Sequence, residues 1–128
     1  MKVKAGTELA PVEVPITTTL IVAGALASRD FQEVHHDSAI AQDSGAKDIF
    51  MNILTTQGLV GRFVTDWAGP DTFIRSMKIR LGAPNYAGDM LTLTGHVESV
   101  EGDDVTVNVR GTNGLGEHVT GTVGVTLS

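Results

Sequence analysis

No cysteine occurs among the 128 residues, which excludes disulfides and thiolate metal sites and suits a reducing compartment. Long hydrophobic runs are missing as well. The longest apolar stretch, residues 20–27, falls far short of the roughly 20 residues a membrane-spanning helix needs, so no membrane association is expected. Positive charge is scarce: nine Lys and Arg stand against fifteen Asp and Glu, a net charge of −6. That balance repels a phosphate backbone and argues against nucleic acid as a partner. No apolar segment follows Lys2 and Lys4, because Glu8, Pro11, Glu13 and Pro15 intervene. A secretory leader is therefore not expected, and a cytoplasmic location is the default. Internal repeats, low-complexity tracts and a second domain are not visible, so residues 1–128 are read as one domain. With 41% hydrophobic and 19% charged residues, the chain is able to bury a core.

The residues that are present divide into three regions. Residues 1–15 carry Pro11 and Pro15 and suit an extended lead-in. Residues 17–25 are uncharged and rich in Thr, Ile and Val, which predicts a first strand. Asp37-Ser38 then reads as the cap of a short helical piece over residues 39–42, broken at Ser44-Gly45. Between residues 46 and 67 no proline occurs, and Ile49, Phe50, Ile53, Leu54, Val60, Phe63, Val64 and Trp67 recur at three-four spacing. That pattern predicts a long helix with one wide apolar face, ended by Ala68-Gly69-Pro70. Gly58 and Gly61 inside it cost about 1 kcal/mol each relative to Ala, which points to close approach of another backbone, or to chance placement.

After Pro70 the period changes to two. Residues 73–81 form a mixed strand bearing Arg75, Lys78 and Arg80. Leu91, Leu93 and Val97, then Val105, Val107 and Val109, then Val119, Val123, Val125 and Leu127 alternate with Thr, Asn, Glu and Arg. Glu101-Gly102-Asp103-Asp104 and Asn113-Gly114-Leu115-Gly116 supply the turns. One valine-rich face and one threonine-rich face predict an antiparallel meander with a single buried side, covered by the long helix. The expected class is α+β, one long helix against a twisted antiparallel sheet. An exposed sheet edge and a partly covered face favour pairing with a second chain.

Chemistry concentrates in the window from Ser28 to Asp37, which holds three acids and a His pair. Asp30 and His35 are a candidate acid–base pair, since carboxylate and imidazole together can hold and activate a water. On an ideal helix, residues five apart diverge by about 140°, so convergence requires the intervening segment to leave helical geometry. The alternative is that Asp30 caps a helix and His35 is a solvated surface residue. His35-His36-Asp37 lacks metal-ligand spacing, because neighbouring residues rarely converge on one ion, and no metal site is expected. His96 and His118 fall on strands among polar neighbours and are expected at the surface. The glycines at 111, 114 and 116 precede a strand, not a helix, and read as hairpin glycines instead of a nucleotide loop.

The window also resembles the signature of the MaoC-like, or type 2, enoyl-CoA hydratases: an Asp, an Asn-Pro pair, a His five residues after the Asp, and a small residue six further on. Asp30, His35 and Ala41 stand at those places. The long helix and Pro84-Asn85-Tyr86-Ala87-Gly88-Asp89 at the head of a strand match the same layout, so the resemblance spans residues 16–128. It implies the single hot-dog fold, a long central helix wrapped by an antiparallel β-sheet. Arg29 to Asp37, Lys47 to Leu54 and Val64 to Pro70 are similar to one branch of that family, the small subunits of heteromeric hydratases acting on steroid side-chain enoyl-CoA esters in actinobacterial cholesterol breakdown.

The resemblance implies addition of water across the α,β double bond of an acyl-CoA thioester, with Asp30 and His35 holding the water. Coenzyme A then enters as part of the substrate, and no cofactor is expected. The family's Asn-Pro is Gln32-Glu33 here. Its helix-opening His-Gly, whose glycine N–H holds the thioester oxygen, falls at Asn52-Ile53, and any residue but proline supplies such an N–H. Lys47, Arg62, Arg75, Lys78 and Arg80 are the candidate contacts for the coenzyme A phosphates. His36 and Asp37 are supporting residues. The implied partner is a larger MaoC-like chain in a hetero-oligomer, otherwise a second copy. Two other readings stand open: a hot-dog thioesterase using Asp48 or Asp66, and a non-catalytic subunit that completes a partner's site.

Overall fold

A computed structural model describes residues 3–127. In chain order the elements are β1 (Glu8–Pro15), α1 (Thr18–Ala27), a 3₁₀ turn (Glu33–His35), α2 (Ser38–Asp43), α3 (Ile53–Ala68), β2 (Phe73–Leu81), β3 (Met90–Glu101), β4 (Asp104–Asn113) and β5 (Gly116–Thr126). The strands form an antiparallel sheet in the order β1-β3-β4-β5-β2. The expected α+β class, with one long helix on the sheet, is what forms.

The valine alternation builds the buried face. Val105 pairs with Val125 and Val107 with Val123, and all four are fully buried. Leu91, Leu93 and Val97 extend that face along β3, and Val60, Phe63 and Val64 of α3 close over it. Each such side chain contributes about 1.5–3 kcal/mol on removal from water. The β3–β4 hairpin closes at the Glu101–Asp104 pair, with Gly102 at φ +62 in a position that favours glycine.

Several local expectations are corrected. Residues 17–25, read as a strand, fold as α1. Thr17 caps the helix by accepting the Leu20 N–H at 3.0 Å, and Ile21 and Ala25 pack into the core. Tertiary burial overrides the β-propensity of the threonines, of which one is the cap and two lie in the first turn. The lead-in is more than extended: residues 8–15 pair with β3 as an edge strand, the place in a sheet that tolerates Pro11 and Pro15. The long helix begins at Ile53, not at residue 46. Asn52 is its N-cap, and residues 46–52 run in irregular backbone held by the 84–89 segment.

Gly58 has open space at its Cβ position, and Gly61 would meet the side-chain tips of Met77 and Ile74 and no backbone, so neither marks a close backbone approach. The glycine that permits helix packing is Gly24 of α1, where a Cβ would overlap the Thr55 side chain. Among the described residues, no helix is long and apolar enough to cross a membrane.

The end of α1 aims the chemistry-bearing window. The Arg29 N–H bonds to the Leu26 carbonyl at 3.0 Å and the Asp30 N–H to the Ala25 carbonyl at 2.8 Å. This is a Schellman motif, and Arg29 occupies its left-handed position at φ +56, a conformation that glycine usually supplies. A non-glycine residue there is strained by about 1–2 kcal/mol. Arg29→Gly should therefore stabilise the fold by about 0.5–1 kcal/mol after glycine's entropic cost, raising the melting temperature by about 2–5 °C. Arg29→Val should lower it, and thermal melts of the two variants against the parent check the sign.

Candidate active site

Asp30 leaves the Schellman motif pointing toward the start of α3. Gln32 adopts φ −59 and ψ 130, the extended geometry that a following proline would enforce. Here Glu33 follows instead, opening the 3₁₀ turn that carries His35. The chain thus leaves helical geometry between Asp30 and His35, and the two side chains meet: Nε2 of His35 lies 3.3 Å from Oδ2 of Asp30. His35 is buried and Asp30 partly exposed.

Each member of the pair is held from a second direction. Nδ1 of His35 lies 2.7 Å from the Phe50 carbonyl, which can only accept, so the hydrogen sits on Nδ1. A neutral ring then presents its lone pair at Nε2, toward Asp30. The Phe50 ring packs edge-on to the imidazole at 5.0 Å. Phe50 is fixed in turn by the 84–89 segment: it bridges to Tyr86, and the Met51 N–H donates to the Asn85 carbonyl at 3.0 Å. Asn85 is fully buried and accepts from Asn113 at 2.8 Å. The 84–89 segment, distant in the chain from Asp30 and His35, therefore holds the carbonyl that sets the tautomer of the histidine.

Asp30 is held by Asn52. The Asn52 side-chain amide donates to Asp30 Oδ2 at 3.1 Å and to Ser28 Oγ at 2.9 Å, while its oxygen accepts the Thr55 N–H at 3.1 Å and the Thr55 hydroxyl. The Gln32 N–H reaches the other carboxylate oxygen at 3.2 Å. The Asn52 amide, with help from the Gln32 N–H, holds the Asp30 carboxyl below its ordinary value, against a smaller opposing effect of desolvation. His36 turns to the Asp30 backbone carbonyl at 3.0 Å, and Asp37 caps α2 through the Ile40 N–H at 3.2 Å. Both are supporting residues. Among the described residues, no three His, Asp or Glu side chains are placed to share a metal ion.

Asp30 and His35 open onto a cavity of about 300 Å³ that is also lined by residues 50–53, by residues 81–84 and by His118. Ile53 opens α3, so its N–H has no intrahelical acceptor. The two backbone positions expected at the thioester oxygen, Asn52 and Ile53, belong to residues that line the same cavity as Asp30 and His35. The basic residues scatter. Arg80 adjoins Leu81 and Gly82 of the cavity rim, with Lys78 two residues before it on the same side of β2. Arg62 pairs with Asp66 at 3.5 Å beside a separate depression at β1, and Arg75 pairs with Asp104 at 3.4 Å. Lys47 is exposed, with its backbone N–H on the Tyr86 hydroxyl at 3.3 Å. Asp48 bonds Ser38 at 2.7 Å, and neither it nor Asp66 lines the cavity.

His96 is exposed, as its strand position implied, and contacts Asn108 at 3.3 Å. His118 is not: it is 2% exposed, and the surface expectation is overturned. Gly111 pairs with Val119 and Thr112 with Glu117, so His118 is the extra residue of a β-bulge and turns inward. Burial pushes its imidazole below the ordinary histidine value, opposed by the Ala83 carbonyl.

The chain matches the MaoC like domain over residues 2–119. It belongs to the MaoC-like domain family. It is 55% identical over 109 residues to the 3-oxo-4,17-pregnadiene-20-carboxyl-CoA hydratase beta subunit of Mycobacterium tuberculosis, covering 85% of this chain and 84% of that protein. Its backbone superposes on a chain of the ChsH1-ChsH2 complex from the same organism with a TM-score of 0.97, over the full length of both and at 50% identity. The (R)-hydratase from A. caviae involved in PHA biosynthesis shares the hot-dog fold, with a TM-score of 0.88 over 100% of this chain and 99% of that one, at 20% identity.

Within this MaoC-like domain, the Asn52 side chain, the Phe50 carbonyl and His118 went unread in the sequence. Asn52 did carry a signal: an Asn directly before an apolar run is an N-cap preference, and it would have set the start of α3 correctly. Asn52→Asp keeps the cap while replacing the amide donor with a like charge beside Asp30. The acid limb of the pH–rate profile should therefore move to higher pH, with the fold retained. Asn52→Ala loses both functions and should also cost about 1 kcal/mol of stability. pH–rate profiles read with thermal melts separate the two effects.

Proposed function

We propose that this chain is a hydratase subunit that adds water across the α,β double bond of an enoyl-CoA thioester. The observation that carries the reading is the Asp30–His35 pair at 3.3 Å, opening onto the same cavity that Ile53, the first residue of α3, also lines. With Nδ1 committed to Phe50, His35 Nε2 and the Asp30 carboxylate are adjacent acceptors. One water that donates a hydrogen to each points its lone pair away from both, toward a bound substrate. Its oxygen forms the bond to the β-carbon as an O–H bond breaks. The pair takes up that proton, and one member guides delivery of a proton to the α-carbon. Negative charge that develops on the thioester oxygen is met by the N–H of Ile53 or Asn52 at the positive end of α3.

The acyl group we propose is a steroid side chain, supported by the identity to the mycobacterial hydratase subunit and by the apolar residues Phe50, Ile53 and Leu81 around the cavity. Coenzyme A enters as part of the substrate. Of the five basic candidates, Arg80 is the one beside the rim, and we assign it to the coenzyme A phosphates with Lys78 behind it. The working unit we propose is a hetero-oligomer with a larger MaoC-like chain, in line with the heteromeric complex whose chain this one superposes on. The open cavity and the free edge of β2 suit a partner that completes the acyl site.

The thioesterase alternative loses support because Asp48 and Asp66 lie away from the cavity. In the reconstituted assembly, Asp30→Asn and His35→Ala should each lower hydration at least about 1000-fold while melting temperature and assembly hold. Loss of the conjugated enoyl-thioester absorbance measures the rate. Activity that survives removal of both groups would make this chain a non-catalytic subunit.

A further inference from the structure

The proposed hydration makes no use of His118, yet this buried ring lines the same cavity. Both of its nitrogens are committed. Nδ1 lies 2.6 Å from the Ala83 carbonyl, an acceptor, so it carries the hydrogen. Nε2 lies 2.8 Å from Thr56 Oγ1 and, in the neutral ring, accepts the hydroxyl proton. A ring so bonded has no free nitrogen with which to bind substrate or move a proton. What it does is connect. Ala83 belongs to the cavity rim, and Thr56 lies in the first turn of α3, where its N–H closes the opening helical bond on the Asn52 carbonyl at 3.3 Å. The His118 backbone carbonyl also accepts the Gly82 N–H at 2.8 Å. Strand β5, the rim and the first turn of α3 are joined at one residue.

Apolar side chains would fill this space, but they would not set an angle. Hydrogen bonds do, because they weaken steeply away from their preferred direction. We infer that Thr56 and His118 are positioning residues for the hydration: the Thr56–His118–Ala83 link holds the first turn of α3 against the 81–84 rim so that the Ile53 N–H meets the thioester oxygen. This inference rests on the hydratase reading. The β-bulge is the feature that makes it possible, since it turns His118 toward the interior next to a core-facing valine.

Thr56→Val and His118→Asn cut the link from its two ends, the second because a shorter amide reaches Ala83 but not Thr56. In the reconstituted assembly each should lower kcat about 10- to 100-fold, with KM for the enoyl-CoA within about 3-fold of the parent. The double variant should be no worse than either single one, and Thr56→Ser should restore kcat. A second readout is spectroscopic. In an Asp30→Asn background, a bound conjugated dienoyl-CoA should absorb at longer wavelength while its carbonyl is hydrogen-bonded, and Thr56→Val should remove that shift.

An unchanged kcat and an unchanged bound spectrum, even with a lower melting temperature, would overturn the inference and leave the pair a packing contact. Failure of both single variants to assemble would do the same. Full activity in Asp30→Asn alone would instead overturn the hydratase reading beneath it.

Discussion

The site depends on the side-chain amide of Asn52. Its oxygen caps α3, and its nitrogen holds the Asp30 carboxylate and Ser28 at the end of α1. One group therefore sets the distance between the proposed base and the proposed oxyanion donor, because the donor is the N–H that follows it in the chain. Asn52 is 3% exposed, so these bonds are little diluted by water. The same amide holds the Asp30 carboxyl below its ordinary value, which favours the ionised form that the proposed role requires.

The rest of the fold supplies fixed ground for that amide. The valine-paired sheet packs Val60, Phe63 and Val64 and so fixes the axis of α3. The Gly24–Thr55 approach sets α1 against the first turn of that helix, and the Schellman motif at Arg29 turns the chain so that Asp30 faces Asn52. The 84–89 segment anchors Phe50, and with it the hydrogen on His35. Gln32-Glu33, where the family signature has Asn-Pro, bends without proline: Gln32 is extended, and the Gln32 N–H on Asp30 stabilises the turn.

The strands from Phe73 onward were legible because period two is a local property, repeated three times in valine. The turn at Gly102 and the end of α3 at Gly69 were legible for the same reason. Residues 17–25 misled because threonine and valine favour strands on average, while the cap at Thr17 and the burial of Ile21 and Ala25 decided this case. Ile49 and Phe50 fit a helical period by spacing but belong to the irregular segment before Asn52. The Asp30–His35 pairing was legible through the motif, not through spacing, which on a helix would separate them. The Asn52–Asp30 bond spans 22 residues and the Thr56–His118 bond 62, and no local pattern announces such contacts. His118 was further hidden by a bulge that shifts its strand by one residue.

Fold, cavity and the Asp30–His35 contact support the proposed hydration of an enoyl thioester, and the outcome is written in where the oxygen of water ends up. Turnover by the reconstituted assembly in heavy-oxygen water, followed by mass spectrometry of the products, tests this directly. The account predicts an intact acyl-CoA heavier by one labelled water, with the label in a hydroxyl on the β-carbon and no free thiol. Free coenzyme A together with label in a carboxylate would contradict it.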